Sequence, residues 1–262
     1  MLPMTKLAGL IIGAGLVLSC QAGCGSVPIR PSPSPHVITV TSETQTPRPE
    51  TDLDFSVTEN REGELVFSMT AADFIAAYNG QYEADHGKPY LESLSQWRHF
   101  TYDCAPHSAY ETEYYGYQSD IQLASMPIIS LYIPSNSDYI QEITLGFDHH
   151  GYTDWWYEMY EEQCLYVLRL LLPDYDDSQL TELFQHLYEQ AERNDKCFFV
   201  DALDSVFGTG PQIIPPILYW RDNIGIYPCF ICGGLLYVNV IPVTQEYLEF
   251  LAENNSELYE IP

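Results

Sequence analysis

The 262-residue sequence predicts an α+β fold, with helices packed on antiparallel sheet. Three observations carry that prediction. Amphipathic helical stretches occur near the start, in the middle and at the end of the chain. Short β-rich runs are grouped between them, not alternated one by one with helices. Turn residues separate neighbouring runs at hairpin spacing. Hydrophobic residues make up 46% of the chain, enough to build a core.

In "SMTAADFIAAYNGQYEADHG", Thr70 and Asp73 have capping-box spacing. Phe74, Ala77, Tyr78 and Tyr82 follow at helical spacing, and Gly87 and Pro89 end the helix. Strands are expected over 97–102, 110–117, 127–133 and 139–147, rich in aromatic and β-branched residues. In the last of these, Tyr139, Gln141, Ile143, Leu145 and Phe147 share one face. "PSNSD" between the last two makes them an antiparallel hairpin. "TDWWYEMYEEQCLYVLRLLLP" is a long helix stopped by Pro173, apolar nearly all round in its second half and therefore central. The next helix is capped by Asp177 or Ser178, with Leu180, Leu183, Phe184, Leu187, Tyr188 and Ala191 in one stripe. "KCFFVD", "ILYW", "IGIY" and "LLYVNVIP" are later strands, with "RDN" a hairpin turn. "TQEYLEFLAEN" is a terminal helix. A helix followed by a four-strand meander resembles the cystatin-like plan. The resemblance implies two tandem units, 54–150 and 151–262.

The first 53 residues read differently. Lys6 precedes an uncharged apolar run, Leu7–Ser19, of signal-peptide length. Cys20 follows Val17, Leu18 and Ser19, and this resembles the lipobox of bacterial lipoproteins. The resemblance implies a signal peptide over 1–19, a lipid on Cys20, and attachment to the outer face of a membrane. Cys24, after Gln21, Ala22 and Gly23, is the alternative site. Residues 20–53, rich in Pro, Ser and Thr, make a tether to a folded domain over 54–262.

Composition narrows the function classes. With 37 acidic and 10 basic residues the formal net charge is -27, which repels nucleic acid and anionic headgroups. Membrane attachment therefore rests on the lipid alone.

Several clusters could carry chemistry. "YPCFICGG" holds Cys229 and Cys232 with two glycines, a pattern that resembles a zinc knuckle. Cys104 and Cys197 would have to complete four ligands. A disulfide, ordinary thiols or a redox pair in a strand connection are the other readings. Of these a structural role is preferred, so neither a metal nor a cofactor is expected. Asp148, His149 and His150 are read as a solvated turn. Asp174, Asp176 and Ser178 alternate like calcium ligands, but the loop lacks its glycine and closing Glu. Glu158, Glu161 and Glu162 share a solvated helix face. Cys164, on the apolar face of the central helix, is expected to be a buried, inert thiol. The 21 tyrosines suggest a contact face for a protein or carbohydrate ligand. The resulting expectation is a non-catalytic binding or assembly module. An exported enzyme, metal-dependent or carbohydrate-hydrolysing, is the alternative.

Overall fold

The computed structural model describes residues 53–102, 111–117, 129–148, 154–194, 198–200, 212–231 and 235–262. All of these fall in one compact unit, Glu43–Pro262. Cys20, Cys24 and the rest of residues 1–52, which hold the expected signal peptide and nearly all of the expected tether, lie outside them.

A small hairpin leads in, β1 (Val57–Glu59) against β2 (Leu65–Phe67). Asn60 shapes its turn. The Asn60 side-chain oxygen Oδ1 accepts the backbone N–H groups of Glu62 and Glu64 at 3.0 and 2.9 Å. Gly63 takes the left-handed φ of 80° that the turn requires. Helix α1 (Ala71–His86) starts at a reciprocal capping box between Thr70 and Asp73 and ends on Gly87 at φ 73°. Its buried residues include Phe74, Tyr78 and Tyr82.

A meander follows: β3 (Arg98–Tyr102), β4 (Thr112–Tyr117), β5 (Ile129–Pro134) and β6 (Glu142–Asp148). Each strand pairs antiparallel with the next. Then come α2 (Asp154–Leu171), ended before Pro173, and α3 (Asp177–Gln190). The cap of α3 is Asp176, not Asp177 or Ser178. Asp176 accepts the Gln179 N–H at 2.9 Å, and the Gln179 side chain accepts the Asp176 N–H at 2.9 Å. Only Asp176 has a glutamine three residues on, so only it closes the reciprocal box.

The chain then forms a short pair, β7 (Phe198–Val200) with β8 (Gln212–Ile214), apart from the main sheet. A second meander runs through β9 (Ile217–Arg221), β10 (Ile224–Ile231) and β11 (Leu235–Pro242). Asp222, at φ 51°, makes the tight β9–β10 turn. Helix α4 (Gln245–Glu253) and β12 (Glu257–Glu260) complete the fold.

The main sheet has eight strands in the order β12-β9-β10-β11-β6-β5-β4-β3. The fold is α+β as expected, and the two meanders share this one sheet. Their last strands, β6 and β11, pair antiparallel at its centre. The sheet is mixed, because β12 lies parallel to β9. A hairpin turn cannot make a parallel pair, and α4 supplies the crossover.

Side-chain alternation gives the sheet two faces. On the first, Ile129, Leu131, Ile143, Leu145 and Val238 meet Phe74 and Tyr78 of α1, Tyr160, Cys164 and Leu168 of α2, and Leu180 and Phe184 of α3. On the second, α4 packs Tyr247, Leu248 and Leu251 on Leu218, Tyr227, Cys229, Ile241 and Val243. Gly225 is required there. A Cβ on it would stand 2.6 Å from Val243 Cγ1.

Candidate functional site

Two cross-strand rows on the second face define the site. The first runs Phe100, Tyr114, Tyr132, Glu142, one residue from each of β3 to β6 in direct register. Its rings form a ladder, with centroids 6.0 Å apart for Phe100–Tyr114 and 5.1 Å for Tyr114–Tyr132. It descends from Phe100, 39% exposed at the sheet edge, to Glu142, 3% exposed at the sheet centre. The second row runs Gly116, Ser130, Thr144, Asn239, Tyr227. The two rows are joined by a hydrogen bond between the Tyr114 and Ser130 hydroxyls at 2.9 Å.

Glu142 sits where the rows meet. Thr144 Oγ1 lies 3.1 Å from Glu142 Oε1 and 3.1 Å from Asn239 Oδ1. A hydroxyl has one proton to give, and both neighbours are acceptors when Glu142 is ionised. A protonated Glu142 resolves the conflict: it donates to Thr144, and Thr144 donates to Asn239. The Asn239 amide N–H2 then reaches the Tyr227 carbonyl at 3.4 Å and Cys229 Sγ at 3.5 Å. Burial pushes the Glu142 carboxyl up to about 8, and the Thr144 bond only partly opposes that. The other carboxyl oxygen, Oε2, is buried without a hydrogen-bond partner. Glu142 is therefore a neutral acid at neutral pH, at one end of an oriented chain of hydrogen bonds. The phenol of Tyr247, from α4, is pushed up by burial and then by Glu142.

Sequence reasoning missed this carboxyl. It placed Tyr139, Gln141, Ile143, Leu145 and Phe147 on one face and gave Glu142 and Thr144 no role. In fact Ile143 and Leu145 fill the first face while Glu142 and Thr144 are buried on the second. Tyr139, expected within the strand on the face of Ile143 and Leu145, precedes it and is 41% exposed. The available signal was Asn239, a lone amide in the apolar run "LLYVNVIP".

The residues singled out in the sequence are placed as follows. Cys229 is not in a strand connection. It lies within β10, opposite Tyr237, and is buried. The β9 ladder ends at Ile226, so β10 can continue through Pro228. Cys104, Cys197, Cys232, His149 and His150 lie outside the described residues. Among the described residues no group of three or more His, Cys, Asp or Glu side chains is placed to hold a metal ion. Cys164 is a fully buried free thiol whose pKa burial raises far above the ordinary value. Asp174 is engaged by the Arg221 guanidinium through two bonds of 2.9 and 2.7 Å. Glu162 pairs with His86 at 3.2 Å, and Glu161 accepts from Gln185 at 3.1 Å.

Many described tyrosines pack inward. Tyr78, Tyr82, Tyr90 and Tyr166 form a ring cluster between α1 and α2, with centroids 4.9 to 6.4 Å apart. Tyr78 donates to Gln163, and Tyr166 to Asp85 at 2.7 Å. The large hydrophobic residues exposed among the described residues are Phe100, Tyr139 and Tyr259. An open groove of about 340 Å³ is lined by Leu53, Asp54, Ser68, Met69, Asp73, Ala76 and Ala77. Its carboxylates are committed locally: Asp54 accepts the Ser56 N–H, and Asp73 accepts from Thr70.

Among the described residues no helix is long and apolar enough to cross a membrane. No family model, curated protein or solved structure matches the chain.

Proposed function

We propose that this is an exported, lipid-anchored protein whose folded part serves as a non-catalytic binding or assembly module on the outer face of a bacterial membrane. The observation that carries the reading is the order of the N-terminal sequence. An apolar run of signal length ends at Cys20, and a Pro/Ser/Thr-rich stretch leads from there to the folded unit. The lipid supplies the membrane contact that a chain of net charge -27 would not make through its surface. The Phe100–Tyr114–Tyr132 ladder supports a contact role, because rigid aromatic rings give contact area at little entropic cost.

Mass spectrometry of the N-terminal peptide from isolated membranes tests the anchor. The expected species is a lipidated Cys20 followed by Gln21. A lipidated Cys24 moves the site and keeps the anchor. An unmodified N-terminus in the soluble fraction ends the reading.

One observation favours the enzyme alternative. Glu142 is a carboxyl kept neutral by burial, and shifted acids cluster at catalytic sites. A metal-dependent version predicts one equivalent of zinc in the purified protein, lost in Cys229→Ser.

A further inference from the structure

We propose that β3 pairs antiparallel with β3 of a second copy of this chain, joining two eight-stranded sheets edge to edge about Phe100. The inference rests on the assembly half of the reading above and not on the lipid.

β3 is the last strand of the sheet, and among the described residues no strand lies on its outer side. A terminal strand presents a row of backbone donors and acceptors to any strand that fits. The side chains of Arg98, His99, Phe100 and Thr101 are all exposed. β3 carries neither proline nor lysine, two residues that commonly protect an edge.

Charge selects the occupant. Two copies of net charge -27 repel each other over most of their surfaces. β3 carries no acidic residue and holds Arg98. Antiparallel self-pairing about Phe100 sets position 98 against 102, 99 against 101, and 100 against itself, so no like charges face. The two Arg98 residues would stand roughly 13 Å apart along the strands, beyond the screening length at physiological salt. The opposite edge differs in charge: β12 carries Glu257 and Glu260 and no basic residue, so it presents only negative charge to a second acidic copy.

The aromatic row supplies the second argument. The ladder from Tyr132 through Tyr114 stops at Phe100, whose outer side is open and whose ring is overlaid by the Arg98 guanidinium at 4.6 Å. Self-pairing in this register places the two Phe100 rings side by side on the same face. The row then continues into the second copy, Tyr132 to Tyr132, as a ladder of six rings.

Cysteine cross-linking of the full chain in its own membranes tests this. Residues facing across a two-fold axis of paired strands have Cβ atoms close enough for a disulfide. Phe100→Cys, oxidised with copper phenanthroline, should give a reductant-sensitive dimer on a non-reducing gel. Tyr259→Cys is the control, equally exposed at 39% but on the β12 edge. Expected is at least a fivefold excess of dimer in Phe100→Cys over both Tyr259→Cys and the parent chain. Equal dimer in all three overturns the proposal. Phe100→Glu, which sets two carboxylates on the axis, should sediment as monomer in detergent with an unchanged melting temperature, where the parent sediments as dimer. A dimeric Phe100→Glu chain, or a monomeric parent, also overturns it. Cross-linking with no lipid on Cys20 or Cys24 would remove the anchor and keep the dimer. A lipidated chain that does not cross-link would do the reverse.

Discussion

Strands β3–β6 carry helices on one face, α1 and α2, while their second face holds the aromatic ladder. Strands β9–β11 lie between α2 and α3 on one face and α4 on the other. The two meanders meet at β6 and β11, four antiparallel strands on one side and three on the other, and the sheet ends differently at its two outer edges. β12, with Glu257 and Glu260, borders one half. β3, with Arg98 and Phe100, borders the other. The β9–β11 half is covered on both faces, whereas the β3–β5 half leaves its aromatic row partly exposed.

The strongest test asks whether the halves unfold together. Phe74→Ala empties a fully buried site under the first meander, and Leu251→Ala does so under α4. Expected losses are about 3–5 kcal/mol for Phe74→Ala and about 2–5 kcal/mol for Leu251→Ala. Urea unfolding followed by fluorescence and circular dichroism should show one shared transition in each variant. Two transitions would make the halves separate units.

Glu142 tests the seam between them. Its folded pKa, about 8, lies above the ordinary 4.5, so the folded state keeps a proton that the unfolded chain releases. Stability from this group is therefore fullest below about pH 4.5 and falls as the pH climbs to about 8. Glu142→Gln keeps an N–H donor toward Thr144 and cannot ionise. Its gain over the parent at pH 9 should be a few kcal/mol, vanishing near pH 4. Parallel melting curves across that range would mean that Glu142 is charged in the folded protein.

A smaller effect is expected at the close approach under α4. Gly225→Ala forces a Cβ against Val243 Cγ1 and should cost about 1–3 kcal/mol. Val243→Ala in the same chain should return part of that. The smallest loss belongs to the shared layer: Asp176→Ala removes the α3 cap for about 1 kcal/mol. Both are read from thermal melts at fixed pH.

What was legible in the sequence was local. α1 could be read to its ends because Thr70, Asp73 and Gly87 fix both termini through neighbours in sequence. The α3 cap was misplaced by one or two residues because Asp176, Asp177 and Ser178 all qualify by type, and Gln179 decides among them. Pro228 ended the predicted "IGIY" strand, although β10 runs on to Ile231 once its β9 ladder is complete. Strand β12 was missed: "ELYE" is short, and its parallel partner lies some forty residues earlier. Of the candidate site, the aromatic runs of β3–β5 were visible as strands. Their registration into a single row ending at Glu142 was not, since register is a property of paired strands and not of any one of them.

The β6–β11 seam also governs the order of events during synthesis. β6 emerges with Ile143 and Leu145 and pairs with β5 at once, but its other side waits for β11. Residues 149–234 must be made first, on the order of ten seconds at ribosomal speed. During that interval the first meander has two open edges, β3 and β6, and the latter becomes the middle of the finished sheet. A nascent chain held at this point is open to pairing with the wrong strand, its own or a neighbour's. Closure across so long a separation is also intrinsically slow. Any condition that lengthens the wait between β6 and β11 should therefore lengthen the time for which β6 stands open.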